Sequence, residues 1–125
     1  MAPLPLLLAA LLPFTTVPPP TAELLPASTI VLTISDSTNR ALRTVDLLCD
    51  PAGGTHPHAQ SACDALQRVD GHIGTHPQGN PICPLVYDPV HATATGTWHG
   101  QPRKYDQTFS NTCVMHGRTG AIFQF

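Results

Sequence analysis

Between Ser28 and Ser35 the side chains sort with a period of two, placing Ile30, Leu32 and Ile34 on one face and Thr29, Val31 and Thr33 on the other. That spacing predicts a strand. Asp36-Ser37-Thr38-Asn39 supplies turn chemistry, and Arg40 to Cys49 carries Val45, Leu47 and Cys49 on one side, so an antiparallel hairpin is expected. Asp50-Pro51-Ala52-Gly53-Gly54 reads as a loop, after which the period lengthens. Pro57 suits a first helical position, Ala62, Ala65, Leu66 and Val69 follow helical spacing, and Gly71 stops the run. Cys63 lies on this helix beside Ala62.

His72 to Gln78 has no regular period, and Gly79-Asn80-Pro81 reads as a turn. Alternation returns from His91 to Trp98, with Ala92, Ala94, Gly96 and Trp98 set against Thr93, Thr95 and Thr97. His99-Gly100 is a two-residue hairpin loop into a strand from Gln101 to Phe109. Ala121-Ile122-Phe123-Gln124-Phe125 reads as a last strand. The expected class is α+β: a five-stranded antiparallel β-sheet with the helix, and a second short one near Cys113, packed on one face.

The chain ahead of this pattern has a different character. Leu4 to Leu12 is an apolar run of export-signal length, too short to span a bilayer, and Pro3, Pro5 and Pro13 around it argue against a buried helix. Residues 1–22 are therefore read as a signal peptide, although no Lys or Arg precedes the run and both Ala22 and Ala27 fit as cleavage positions. From Thr15 to about Pro26 the composition turns to Pro and Thr, an extended linker of which residues 23–27 lie beyond the signal. Residues 28–125 are left as the folded domain.

Charged residues make up 11% of the 125-residue chain and the net charge is -2, so there is no basic stripe for nucleic acid and no polybasic patch for a membrane. Proteins or small molecules remain as partners. Four cysteines without a C-x-x-C pair fit two disulfides better than a zinc site, and disulfides place the protein outside the cytoplasm. The seven histidines include His56 and His58 two apart and His72 and His76 four apart. The latter pair sits in a Gly- and Pro-containing loop with no carboxylate at H-E-x-x-H spacing, so neither a metal nor a cofactor is expected. Ser110 lacks a G-x-S-x-G setting for a hydrolase. Trp98, Tyr87 and Phe109 are core or interface aromatics in the absence of a basic groove for stacked bases.

Cys83-Pro84-Leu85-Val86-Tyr87-Asp88-Pro89-Val90 does not suit a sheet interior. Pro84 and Pro89 cannot donate to a ladder, and each biases the residue before it toward extended backbone. A stiff strip results, with Leu85 and Val86 at its middle where a plain connector would carry Gly, Ser or Asp. An extended apolar strip anchored by a cysteine has the shape that a serine protease cleft binds.

This strip resembles the reactive-site segment of the Streptomyces subtilisin inhibitor family, and Phe109-Ser110-Asn111-Thr112-Cys113 is similar to that family's segment around its fourth cysteine. Ile30-Val31-Leu32-Thr33, Gly54-Thr55-His56-Pro57 and Phe123-Gln124-Phe125 resemble its first strand, its approach to the helix and its terminal strand. The resemblance covers roughly Ala27 to Phe125, including the order and spacing of the four cysteines.

The resemblance implies a secreted inhibitor of subtilisin-like and also chymotrypsin-like serine proteases, not an enzyme. It implies a reactive bond between Leu85 and Val86, with Ile82, Cys83, Pro84, Tyr87 and Asp88 contacting the protease and Asn111 supporting the loop from behind. It also implies disulfides Cys49 to Cys63 and Cys83 to Cys113, and a homodimer. Two positions depart from the family pattern: Thr112 stands where an acidic residue is common, and Leu85 where Met or Lys is frequent. The competing expectation is a secreted disulfide-bonded interaction or carbohydrate-binding module without inhibitory activity, with an exported hydrolase a remote third.

Overall fold

The computed structural model describes residues 2–6, 8–16, 25–77, 79 and 81–125. The Ala22 cleavage position, most of the Pro-rich linker, Gln78 and the Asn80 of the expected turn lie outside the described residues. Among those described, no helix is long and apolar enough to cross a membrane.

Five antiparallel strands, β1 (Ser28–Ser35), β2 (Ala41–Cys49), β3 (Gly53–Gly54), β4 (Val90–Trp98) and β5 (Gln101–Phe109), form one sheet in the order β3-β2-β1-β4-β5. β1 is central, as befits the strand whose inward residues Ile30, Leu32 and Ile34 are all buried. Across from them in β4 stand Gly96, Ala94 and Ala92. Large side chains on one strand therefore meet small ones on the next, which leaves space above the sheet for helices. α1 (Ala59–Gln67) and α2 (Thr112–Thr119) fill that space, and Leu66 and Met115 bring them into a core shared with Leu47, Trp98, Ile122 and Phe123.

Three details differ from the sequence pattern. The fifth strand is not the chain end but Gly53–Gly54, which pairs with Leu47 and Leu48 at the sheet edge and carries no side chain to announce itself. Gly120–Phe123 instead forms a 3₁₀ turn with Ile122 and Phe123 fully buried against the helices. Its apolar spacing suits a strand or a tight turn equally, and Gly120 at φ 59° turns the chain away from the sheet. Pro57 is also not the first helical residue; α1 begins at Ala59, with His58 as its cap at a non-helical φ -126°, ψ 48° and its amide bonded to the His56 ring.

His56 is buried, and its two ring nitrogens are both used: Nε2 donates to the Ile122 carbonyl at 2.9 Å and Nδ1 accepts from the His58 amide at 2.9 Å. That assigns a neutral tautomer. Its ring edge meets Phe125 with centroids 5.4 Å apart, so one side chain ties the approach to α1 to the end of the chain. At the other end of α1, Gly71 at φ 75° donates to the Leu66 carbonyl at 2.9 Å and closes the helix. Among the described residues no group of three or more His, Cys, Asp or Glu gathers as a metal site would require.

Candidate functional site

What holds the strip in place starts from the sequence ahead of α2. β5 ends at Phe109, and Asn111, with extended backbone at φ -165°, caps the helix through Oδ1, which accepts from the Val114 amide at 2.9 Å. This is what an asparagine at the cap position supplies to an otherwise orphaned helical N–H. The same side chain has a second half. Its Nδ2 donates at 2.8 Å to the Val86 carbonyl and at 3.3 Å to the Pro84 carbonyl, so Asn111, itself 8% exposed, holds the carbonyls on both sides of Leu85.

Two more ties flank this pair. Cys83 is bonded to Cys113 in the first turn of α2, and the Asp88 amide donates to the Ser110 carbonyl at 2.9 Å. Residues 81–89 form neither helix nor strand, yet Cys83, Pro84, Val86 and Asp88 are each fastened to the short stretch Ser110–Cys113. The strip is stiff because one helix start holds it in four places along its length.

What the ties leave free is the side of the strip that faces water. Leu85 is 106% exposed and Ile82 equally bare, while Val86 is 56% exposed and Tyr87 stands well out. Four large apolar side chains in six residues stand more than half exposed on a restrained backbone, outside the core. Pro84 and Asp88 are also exposed, and Cys83 is half-buried by its bridge. Beneath the strip, between it and Val114 of α2, lies a hollow of about 370 Å³ with Asn111 and Ser110 in its wall.

The β1–β2 turn borders the far end of the strip. Asp36, Ser37 and Asn39 line a shallow hollow with Tyr87 and Pro89. Asp36 is pre-set as an anion: Oδ1 accepts from Thr38 Oγ1 at 2.6 Å, from the Arg40 amide at 3.0 Å and from the Thr38 amide at 2.9 Å, bonds that hold its pKa below the usual carboxylate value. Nothing in the sequence tied this turn to the site, and Ser110, though inside the family-like segment Phe109–Cys113, takes part through its backbone carbonyl, which no side chain announces. The other disulfide, Cys49–Cys63, lies away from the strip in the core, joining β2 to α1.

Fold and site together define a small disulfide-tied α+β domain that presents one restrained, outward-facing apolar strip, a shape made for the cleft of another protein. The subtilisin inhibitor-like family model matches residues 26–111. The chain is 38% identical over 102 residues to subtilisin inhibitor-like protein 5 of Streptomyces fradiae, covering 77% of this chain and 95% of that protein. It is 40% identical over 104 residues to the subtilisin inhibitor of Streptomyces albogriseolus, covering 78% and 72%. Sermetstatin of Streptomyces caespitosus, in a crystal structure with Bacillus licheniformis subtilisin, superposes with a TM-score of 0.66 at 36% identity, covering 78% of this chain and 98% of that one. The chain belongs to the subtilisin inhibitor-like family.

Proposed function

We propose that the protein is a secreted inhibitor of subtilisin-like serine proteases that offers the Leu85–Val86 bond to the enzyme as a substrate held too firmly to be released. One observation carries this reading: Asn111 bonds the carbonyls on both sides of a fully exposed Leu85. Relatives named as subtilisin inhibitors, and a structural neighbour bound to subtilisin, support it.

A protease accelerates attack by fixing an extended peptide with its carbonyl beside the nucleophile and the oxyanion donors. Here the strip is already extended and tied, so little conformational entropy is lost on binding, about 0.5–1.5 kcal/mol for each rotamer-rich side chain that is spared immobilisation. Leu85 enters the primary specificity pocket; an apolar side chain unbranched at Cβ suits the broad pockets of subtilisins and chymotrypsin-like enzymes. Ile82, Cys83 and Pro84 lie along the cleft on one side of the bond, and Val86, Tyr87 and Asp88 on the other. After cleavage the Cys83–Cys113 bridge and the Asn111 bonds keep the new amine beside the acyl-enzyme, so resynthesis at high effective concentration outruns water.

Residues 1–22 act in this reading as a removed signal and 23–27 as the remnant linker, supported by a fold whose first strand starts at Ser28. The protein works as a homodimer joined through the outer face of the sheet. There Thr29, Val31 and Thr33 stand opposite Thr97, Thr95 and Thr93, a patch of short uncharged side chains flanked by Asp46 on β2 and by Lys104 and Asp106 on β5. Sedimentation of the purified protein tests the dimer, and sequencing of its mature N-terminus tests the leader.

The inhibitory reading is tested by titrating subtilisin with the purified protein. Stoichiometric loss of activity, with a single nick after Leu85 in inhibitor recovered from the complex, is the expected result. A module that shares only the disulfide frame leaves the activity untouched.

A further inference from the structure

Gly117 sits inside α2, where a glycine destabilises a helix by roughly 0.5–1 kcal/mol relative to alanine. An eight-residue helix has little stability to spare, so this residue needs a reason. The reason lies across from it. A Cβ at position 117 would come within 2.3 Å of Pro81 Cγ and 2.4 Å of Pro81 Cβ, so the proline ring rests directly on the bare Cα. Gly117 also follows Cys113 by four residues, and positions four apart share a helix face. One face of α2 thus carries the disulfide to Cys83 and, one turn on, the seat for Pro81.

We infer that Gly117 is a positioning residue for the reactive strip: its missing side chain lets Pro81 dock, and the docked proline sets the depth and direction from which Ile82 and Cys83 enter the cleft. The proline ring is rigid and cannot fold away from an added methyl group. The alternatives left to a Gly117→Ala chain are to lift the arm off α2 or to shift the helix start that holds Asn111 and Cys113. Either change loosens the leading half of the strip while leaving the core beneath it in place. Misplacement of about 1 Å at a reacting centre is enough to cost up to a hundredfold in the geometry of attack, and resynthesis depends on that geometry.

The inference rests on the inhibitory reading above, and the two fail differently. The experiment uses the full chain with Gly117→Ala and, as control, Gly74→Ala, a position where an added Cβ meets nothing within 4 Å. Subtilisin is titrated and the return of activity is followed alongside appearance of the nick after Leu85. Expected is that Gly117→Ala keeps its thermal midpoint, binds stoichiometrically at first, and is then hydrolysed roughly tenfold or more faster than the parent, while Gly74→Ala behaves as the parent. If Gly117→Ala fails to fold, Pro81→Gly empties the same seat without crowding the helix and is expected to show the same faster hydrolysis. Hydrolysis at the parental rate in whichever of these variants folds overturns the inference. A parent protein that does not inhibit subtilisin at all overturns the inhibitory reading instead.

Discussion

Asn111 and Val86 are joined by a 2.8 Å hydrogen bond from a side-chain amide to a backbone carbonyl, and the oxygen of that same amide caps a helix. Capping the helix and holding the strip therefore share the three atoms of one amide. The helix cannot start where it does without orienting Nδ2 toward the strip, and the strip cannot leave without disturbing the cap. This coupling ties a stretch with no secondary structure of its own to the start of a helix.

The two tasks separate by substitution. Asn111→Asp keeps an acceptor for the Val114 amide but puts a carboxylate where Nδ2 donated, facing the Pro84 and Val86 carbonyls. Its thermal midpoint is expected to stay near that of the parent, while cleavage after Leu85 by subtilisin accelerates. Asn111→Ala loses both functions, and the missing cap costs about 1 kcal/mol in addition. Thermal melts and mass spectrometry of protease digests distinguish the two variants.

Leu85 touches nothing that the fold needs, so Leu85→Lys is expected to change stability by no more than about 0.5 kcal/mol. Its effect is on partner choice. A lysine at this position supplies the charge that a trypsin-like pocket with a buried carboxylate lacks when it meets leucine, and inhibition of trypsin should appear as that of subtilisin weakens. Parallel titrations of both enzymes check this; a variant inert toward trypsin and undiminished toward subtilisin shows that Leu85 does not set specificity.

Much of this was open to reading before any coordinates. Period-two alternation located β1, β2 and β4, and His99-Gly100 marked the hairpin into β5, because those strands are buried on one face only and side-chain pattern follows exposure. Pro84 and Pro89 marked the strip through what they cannot do in a sheet. The features missed are those made by backbone rather than side chain: the two-residue strand Gly53–Gly54, the Ser110 carbonyl, and the bare Cα of Gly117. Ile122 and Phe123 misled for a different reason, since complete burial in a 3₁₀ turn and in a strand leaves the same apolar trace. His56 was noted for its spacing from His58, with no metal expected, and its structural bond to a residue 66 positions away had no local signature.

The two disulfides should fail in different ways. Cys49–Cys63 closes a separation of 14 residues inside the core, and replacing both cysteines by alanine is expected to remove roughly 3 kcal/mol of stability in the chain-entropy picture. Cys83–Cys113 spans 30 residues but fastens an exposed strip to α2. Replacing that pair should leave the sheet and α1 folded while the strip is cut rapidly by subtilisin. Circular dichroism melts paired with cleavage rates test the contrast; a Cys83→Ala/Cys113→Ala protein that resists subtilisin as the parent does contradicts it.

His56 gives the fold a dependence on pH whose sign follows from its surroundings. Burial disfavours the imidazolium and is the leading cause that holds the pKa below the ordinary 6.5; the Ile122 carbonyl opposes this more weakly, and His58 adds to the depression. Protonation would also place a second donor on Nδ1, facing the His58 amide that now donates to it. The unfolded chain therefore takes up the proton at a higher pH than the folded one. Stability from this group is complete above about pH 6.5 and is lost as pH falls through the folded-state pKa. Urea unfolding between about pH 8 and about pH 5 should show the parent losing stability toward acid. His56→Gln should be less stable than the parent at the upper end and should lose less on acidification, the difference isolating His56 from the other histidines. Equal acid sensitivity in the two proteins means that the neutral ring between Ile122 and His58 is not what the fold depends on.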